Sequence, residues 1–176
     1  GKVVMKQQLP KKYDSFFYEE ISNIIGIERK VLESTNLPIE IISTGLKDVI
    51  IPVPKGYLDC IVPNDKVIAA FCKKHNVVGL HVFELCSKKS KYTASCRNFA
   101  PLFGIKEESA TGSSSGALAC YLWEHLNLGN NYIFEQGRAM NCSSEITVSL
   151  ISKDSSIIDV LVGGYANCLG TRVISV

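Results

Sequence analysis

The sequence predicts an α+β fold, a β-barrel wrapped around one buried central helix, and three observations carry that prediction. Short runs rich in β-branched and aromatic residues recur along the chain, separated by Gly, Pro, Asn, Asp and Ser. Among them lies one segment, residues 113–126 (SSSGALACYLWEHL), that is apolar on most sides and belongs in an interior. The chain has 176 residues, 46% of them hydrophobic. That length buries about 70% of the unfolded surface, enough for a core that needs neither disulfide nor metal.

Residues 3–9 read as a strand closed by Pro10. Residues 15–25, with Phe17, Ile21, Ile24 and Ile25 on one face and Gly26 behind them, read as an amphipathic helix. After a polar stretch, residues 39–42 and 49–53 form two strands around Ser43-Thr44-Gly45. Asn64 caps a helix that carries Val67, Ile68, Phe71 and Cys72 on one side. Strand character returns at 77–85 and 92–99, before the central helix. Four more strands follow at 132–135, 145–151, 157–161 and 171–176, with turns at Gln136-Gly137, Asp154-Ser155-Ser156 and Gly163-Gly164. We therefore expect a single domain over 1–176: a lead-in strand and helix at 1–38, the barrel at 39–170, and an end strand at 171–176.

The charge balance sets limits on partners. Nineteen Lys and Arg stand against seventeen Asp and Glu, a net +2, and the Lys pairs are scattered. That argues against nucleic-acid binding. The longest apolar runs fall far short of the roughly 18 residues that span a bilayer, and no targeting segment is visible. Seven cysteines form an odd set with no C-x-x-C pair, which reads as reduced thiols in a cytoplasmic protein. His75, His81 and His125 do not pair with them at ligand spacing, so no metal is expected.

The chemistry concentrates in residues 97–116, which place acids, hydroxyls and small residues at the mouth of the apolar helix. The first turn of a helix offers free N–H groups and a partial positive charge, and Gly112 and Gly116 leave room for a ligand near the backbone. A carboxylate fits there. Glu107 and Glu108 are candidate general bases, and Thr111 or Ser113 candidate donors to the carboxylate. Spacing alone equally describes an ordinary capped helix, with Glu complementing its dipole. No Walker, dinucleotide or G-x-S-x-G pattern is present.

Arg97-x-Phe99-Ala100-Pro101-x-x-Gly104-Ile105-x-Glu107-Glu108-x-Ala110-Thr111-Gly112-Ser113, followed by Gly116-Ala117-Leu118-Ala119, resembles the signature of the phenazine-biosynthesis PhzF-like family. Ser43-Thr44-Gly45-Leu46 with Ile50-Ile51-Pro52-Val53 resembles its S-T-G-L strand pair, Gln136-Gly137 its Q-G turn, and Val162-Gly163-Gly164 its closing hairpin. The resemblance implies the diaminopimelate-epimerase fold and an isomerase or epimerase that moves a proton on a small carboxylic acid, with no cofactor and no metal, and it implies that the end strand at 171–176 pairs with a partner domain or stays an apolar edge. It places Glu108 where the family has an active-site Asp, and Gly112 and Ser113 on the substrate-binding turn. The implied catalytic residues are Glu108 and Ser113, and the implied substrate contacts Thr111, Gly112, Ser113 and Ser114. Thr111 falls where related epimerases place one of two catalytic Cys, which argues against a cysteine-pair racemase.

Three departures accompany the resemblance. Glu108 is one methylene longer than Asp. Where the family tends to have M-G-R-P-S, this chain has Met140-Asn141-Cys142-Ser143-Ser144 and loses an Arg. Only the family's C-terminal half is matched, and Gly1 stands where an initiator Met would be, so the principal acid/base Glu of an S-E-T segment is expected from a separate N-terminal domain or a second copy in a dimer. The other reading is a non-catalytic carboxylate-binding or assembly module.

Overall fold

The computed structural model describes residues 1–166 and 170–174. Ten strands form one sheet: β1 (Lys2–Lys6), β2 (Lys11–Phe16), β3 (Ile39–Ser43), β4 (Lys47–Pro52), β5 (Gly79–Leu85), β6 (Ala94–Ala100), β7 (Ile105–Glu108), β8 (Asn131–Gln136), β9 (Ser144–Lys153) and β10 (Ser156–Tyr165). Four helices join them: α1 (Tyr18–Ile25), α2 (Arg29–Glu33), α3 (Asp65–His75) and α4 (Gly112–Leu126). The strand order is β1-β10-β9-β8-β6-β5-β4-β3-β2, with β7 paired to β6.

Two pairs, β4–β5 and β6–β8, are parallel. Their crossovers carry α3 and α4. Both crossovers step the same way along the sheet, but β5 and β6 are antiparallel, so the second pair runs opposite to the first. The right-handed rule then places the two helices on opposite faces. Side-chain alternation agrees. Val49 and Ile51 of β4 pack in one cluster with Ile68, Phe71 and Cys72 of α3, while Ile50 packs in the other with residues 117–122 of α4.

The sheet curls because one stretch of chain holds both its ends. β1 pairs with β10 and β2 with β3. Between them the Gln7 N–H donates to the Val160 carbonyl and the Gln8 N–H to the Thr44 carbonyl. The result is a barrel-like α+β fold in which α4 packs against β3, β4, β9 and β10. Residues 114–122 of α4 are all buried.

Asn64 caps α3 as expected, accepting from the Val67 N–H at 3.3 Å. Asp154 and Ser155, at φ of 50° and 59°, make the two-residue β9–β10 turn whose twist suits a hairpin. Several expectations change. The helix expected over 15–25 begins only at Tyr18, since Ser15 and Phe16 belong to β2 and Phe17 is 85% exposed. Gly163 and Gly164 form no turn; they lie inside β10, where Gly163 lets the β1 backbone approach. A Cβ there would meet the Val3 carbonyl oxygen at 2.6 Å. Of the expected end strand, residues 171–174 form no strand and Val173 and Ile174 are exposed, while 175–176 lie outside the described residues.

Gly116 is filled by packing rather than open to a ligand. A Cβ on it would lie 2.8 Å from Thr44 Oγ1 and 3.3 Å from methyl groups of both Val160 and Val162. Gly116→Ala is expected to cost about 1–3 kcal/mol through overpacking, seen as a Tm lowered by about 5 °C in a thermal melt.

Candidate active site at the N-terminus of α4

The turn that starts α4 is held from several strands. β7 pairs with β6, Glu108 opposite Asn98, and so delivers Glu108 to the edge of the helix mouth. Thr111 is extended and stands just before the helix. Its hydroxyl donates to Glu108 Oε2 at 2.6 Å. The fully buried Gln136 amide, at the end of β8, donates to the Glu108 carbonyl at 2.7 Å and to Thr111 Oγ1 at 3.0 Å. From the β3–β4 turn, the Thr44 hydroxyl donates to the Ser113 carbonyl at 2.8 Å. The first backbone bond of the helix runs from the Ser115 N–H to the Thr111 carbonyl. The Gly112, Ser113 and Ser114 N–H groups therefore precede the helical ladder and point out of its positive end.

Beneath this turn runs a chain of buried polar side chains. Ser114 Oγ donates to Asp48 Oδ2 at 2.5 Å and accepts from Asn98 Nδ2 at 3.1 Å. Asn98 Nδ2 also faces His81 Nδ1 at 3.1 Å. Burial pushes the His81 imidazole down to about 3, so it is neutral. The bond from Asn98 assigns Nδ1 as acceptor and places the ring proton on Nε2, which has no partner among the described residues. Asp48 is pushed up to about 6, chiefly by burial; the bonds from Ser114 and the Gly79 N–H oppose the shift, and the charge of Glu108 adds to it.

A cavity of about 480 Å³ opens at the same helix end, walled by Val3, Met5 and Val162 and edged by Ser143, Ser144 and Glu145. Of the sequence-derived site residues, Gly112 lines it. Glu108, Thr111 and Ser113 gather at the turn behind it, half-buried. The Ser114 hydroxyl faces Asp48 inside the protein, which leaves its backbone N–H as its only group at the helix end. Glu107 has both carboxylate oxygens engaged by Arg97, whose Nε and Nη2 donate to them at 2.8 Å each. In the turn that lacks the expected Arg at position 142, Arg138 stands four residues earlier and pairs with Glu84, Asp59 and Glu135. Cys96 and Cys120 are buried, Cys96 pushed well above the usual thiol range and Cys120 up to about 12, both mainly by burial. Neither is a reactive thiolate.

Asp48, His81, Asn98 and Gln136 were not candidates from the sequence. Their signal was phase. Asp48 is in phase with the inward Ile50, His81 with Phe83, Asn98 with Cys96 and Gln136 with Phe134, so each occupies an inward position that a barrel strand would fill with an apolar residue.

This architecture, a curled sheet over a buried helix whose open end is guarded by a carboxylate, defines a class that comparison with known proteins makes specific. The chain belongs to the phenazine biosynthesis-like protein family, PhzC-PhzF, whose model matches residues 1–171. It is 31% identical over 154 residues to an uncharacterized isomerase of Clostridium acetobutylicum, covering 84% of this chain and 51% of that protein. To an uncharacterized isomerase of Deinococcus radiodurans it is 30% identical over 156 residues, covering 85% and 49%. Among solved structures, a PhzF-family phenazine biosynthesis protein of Bacillus anthracis superposes with a TM-score of 0.80 at 25% identity, over 93% of this chain and 57% of that one. A predicted epimerase of Pseudomonas aeruginosa shares the fold with a TM-score of 0.72 at 23% identity, over 97% and 59%. The chain spans about half the length of these two curated relatives. Among the described residues, no helix is long and apolar enough to cross a membrane.

Proposed function

We propose that this chain is the C-terminal domain of a cofactor-independent isomerase that moves a proton on a small carboxylic acid, with α4 as the axis of its barrel. The observation that carries the reading is the Glu108 carboxylate, held by the Thr111 hydroxyl at the open end of α4 beside a cavity. In this reading the Gly112, Ser113 and Ser114 N–H groups bind the substrate carboxylate and the Ser113 hydroxyl completes the contact, while Thr111, whose hydroxyl proton goes to Glu108, borders the substrate and holds that side chain in place. Glu108, with Ser113 beside it, passes the proton or holds it by hydrogen bond. A facing domain or a second copy of the chain supplies the opposing acid/base. The six described cysteines, all free thiols, support a cytoplasmic setting.

The test is hydrogen exchange in D2O on a panel of small carboxylic acids, run on this chain together with a facing domain that carries the Ser-Glu-Thr segment. Glu108→Gln is expected to slow exchange about a hundredfold if Glu108 is an acid/base. An unchanged rate reduces Glu108 to a helix-capping residue. Carboxylate binding with no exchange into any ligand assigns the chain to a non-catalytic binding or assembly module.

A further inference from the structure

The Gln136-Gly137 pair at the end of β8 reaches the turn that starts α4, and the functional reading gives it no task. Gly137, at φ 88°, lets the two segments meet: a Cβ on it would lie 2.8 Å from Ser109 Cβ. Gln136 is fully buried, and its Nε2 donates to the Glu108 carbonyl at 2.7 Å and to Thr111 Oγ1 at 3.0 Å. That carbonyl fixes which end of the amide faces the turn, because the reversed amide would set one acceptor against another. Gln136 Oε1 has no partner among the described residues, so the two N–H bonds alone orient the group. An amide nitrogen carries two protons and offers no acceptor lone pair. Thr111 therefore accepts from Gln136, and its one proton goes to Glu108 Oε2, 2.6 Å away. Thr111 stands at the N-cap position, where a hydroxyl usually accepts from the first helix N–H groups, yet its side chain makes no capping bond. Its hydroxyl is spent instead on a relay from Gln136 to Glu108.

We infer that Gln136 is a positioning residue that acts through Thr111 and confines the exchangeable proton of Glu108 to Oε1. The relay runs one way. A proton on Oε2 would have to be donated back to Thr111, and the Thr111 proton would then have no acceptor, since Gln136 presents only N–H to it. Oε1 receives no bond among the described residues, so it is the oxygen left to meet a substrate. In the isomerase reading, Oε1 takes a proton as a substrate C–H bond breaks, the bonding pair staying on the substrate, and the same oxygen gives the proton back. That catalytic use rests on the proposed function; the direction of the relay rests on its hydrogen bonds alone. Asp48 of β4 feels the charge of Glu108, and Arg97 of β6 holds the neighbouring Glu107; the test variants leave all three in place.

Side-chain NMR on the whole chain tests the relay. In Thr111→Val, which keeps a branched side chain on the extended backbone, one Gln136 amide proton is expected to lose its bond and exchange faster with water, while the proton on the Glu108 carbonyl stays protected. The midpoint of the Glu108 carboxyl ¹³C titration is expected to rise by about half a pH unit or more in the same variant, because the charged form loses a donor. Gln136→Met should move it the same way, the double variant no further than Thr111→Val alone, and Thr111→Ser should restore it. Gln136 amide protons unchanged in Thr111→Val, a Glu108 midpoint unmoved there, or effects that add in the double variant overturn the proposal. Should Gln136→Met not fold, the Gln136 amide protons in Thr111→Val decide. Hydrogen exchange on the carboxylic acid panel, with the facing domain present, separates the relay from the functional reading. Gln136→Met is expected to slow turnover about tenfold with the half-saturating substrate concentration unchanged. Turnover slowed by Glu108→Gln but not by Gln136→Met overturns the positioning role. Turnover unaffected by Glu108→Gln ends the isomerase reading, while the NMR results still decide the relay.

Discussion

Arg97→Ala is expected to lower stability by about 3–5 kcal/mol, the cost of breaking a buried ion pair from one side. The Arg97 side chain is 7% exposed and its partner Glu107 14%. The guanidinium holds both Glu107 oxygens, and its Nη1 donates to the Ile61 carbonyl at 2.8 Å and to the Leu58 carbonyl at 3.3 Å. It also lies over the Phe99 ring, 4.9 Å from the centroid. Truncation leaves a carboxylate and two carbonyls in a dry site with no donor. Urea unfolding should show a lower midpoint at unchanged slope. An Arg97→Met, Glu107→Leu double variant should regain most of the loss, because it removes both charges. A double variant as unstable as the single one would mean that the carbonyls, not the charge, carry the penalty. Arg97→Lys should fall between, since an ammonium cannot span both oxygens and both carbonyls.

Acid should weaken the protein in a way that Asp48→Asn exposes. His81, ordinarily 6.5, is about 3 in the fold. The neutral ring therefore contributes stability that is complete above pH 6.5 and drains away as pH falls toward 3. Asp48 runs the other way. Its pKa is raised from 3.8 to about 6, so its contribution is complete below pH 3.8 and is lost as pH rises through 6. Between about pH 4 and 6 the two slopes oppose, each about 1.4 kcal/mol per pH unit. The native chain should lose little from this pair in that window and then weaken steeply below pH 4. In Asp48→Asn only the His81 slope remains, and the loss should run unbroken from pH 6.5 downward, on the order of 4 kcal/mol in total. Urea midpoints measured from pH 3 to 7 check this. Parallel curves for the two proteins between pH 4 and 6 would remove Asp48 from the account.

Much of the fold was legible because burial writes a period into the sequence. The apolar segment now known as α4, the Asn64 cap, the strand pair around Ser43-Thr44-Gly45 and the Asp154-Ser155 turn each carry local chemistry that fixes local structure. β2 (KKYDSF) was illegible because it lies mostly exposed on the rim and carries no alternation. β7 was too short, at four residues, to show a period. Gly163-Gly164 read as a turn because Gly usually marks one, whereas here it admits the β1 backbone. At the site, Glu108, Thr111 and Gly112 were legible since they are contiguous with a helix start. Asp48, His81 and Asn98 were not, because only pairing makes them neighbours: β4 beside β5, and β5 against β6 with His81 opposite Asn98.

The stretch that holds both ends of the sheet also sets the tempo of folding. Lys2 pairs with Tyr165 and Lys6 with Leu161, so the seam joins nearly the first described residues to nearly the last strand. Contacts so distant in sequence are reached late, after the loop entropy between them has been spent. On the ribosome β1 emerges before β10 exists, and its exposed Val3, Val4 and Met5 must wait without a partner strand. Slow closure, with an apolar strand held open meanwhile, makes this seam the place where misfolding would begin.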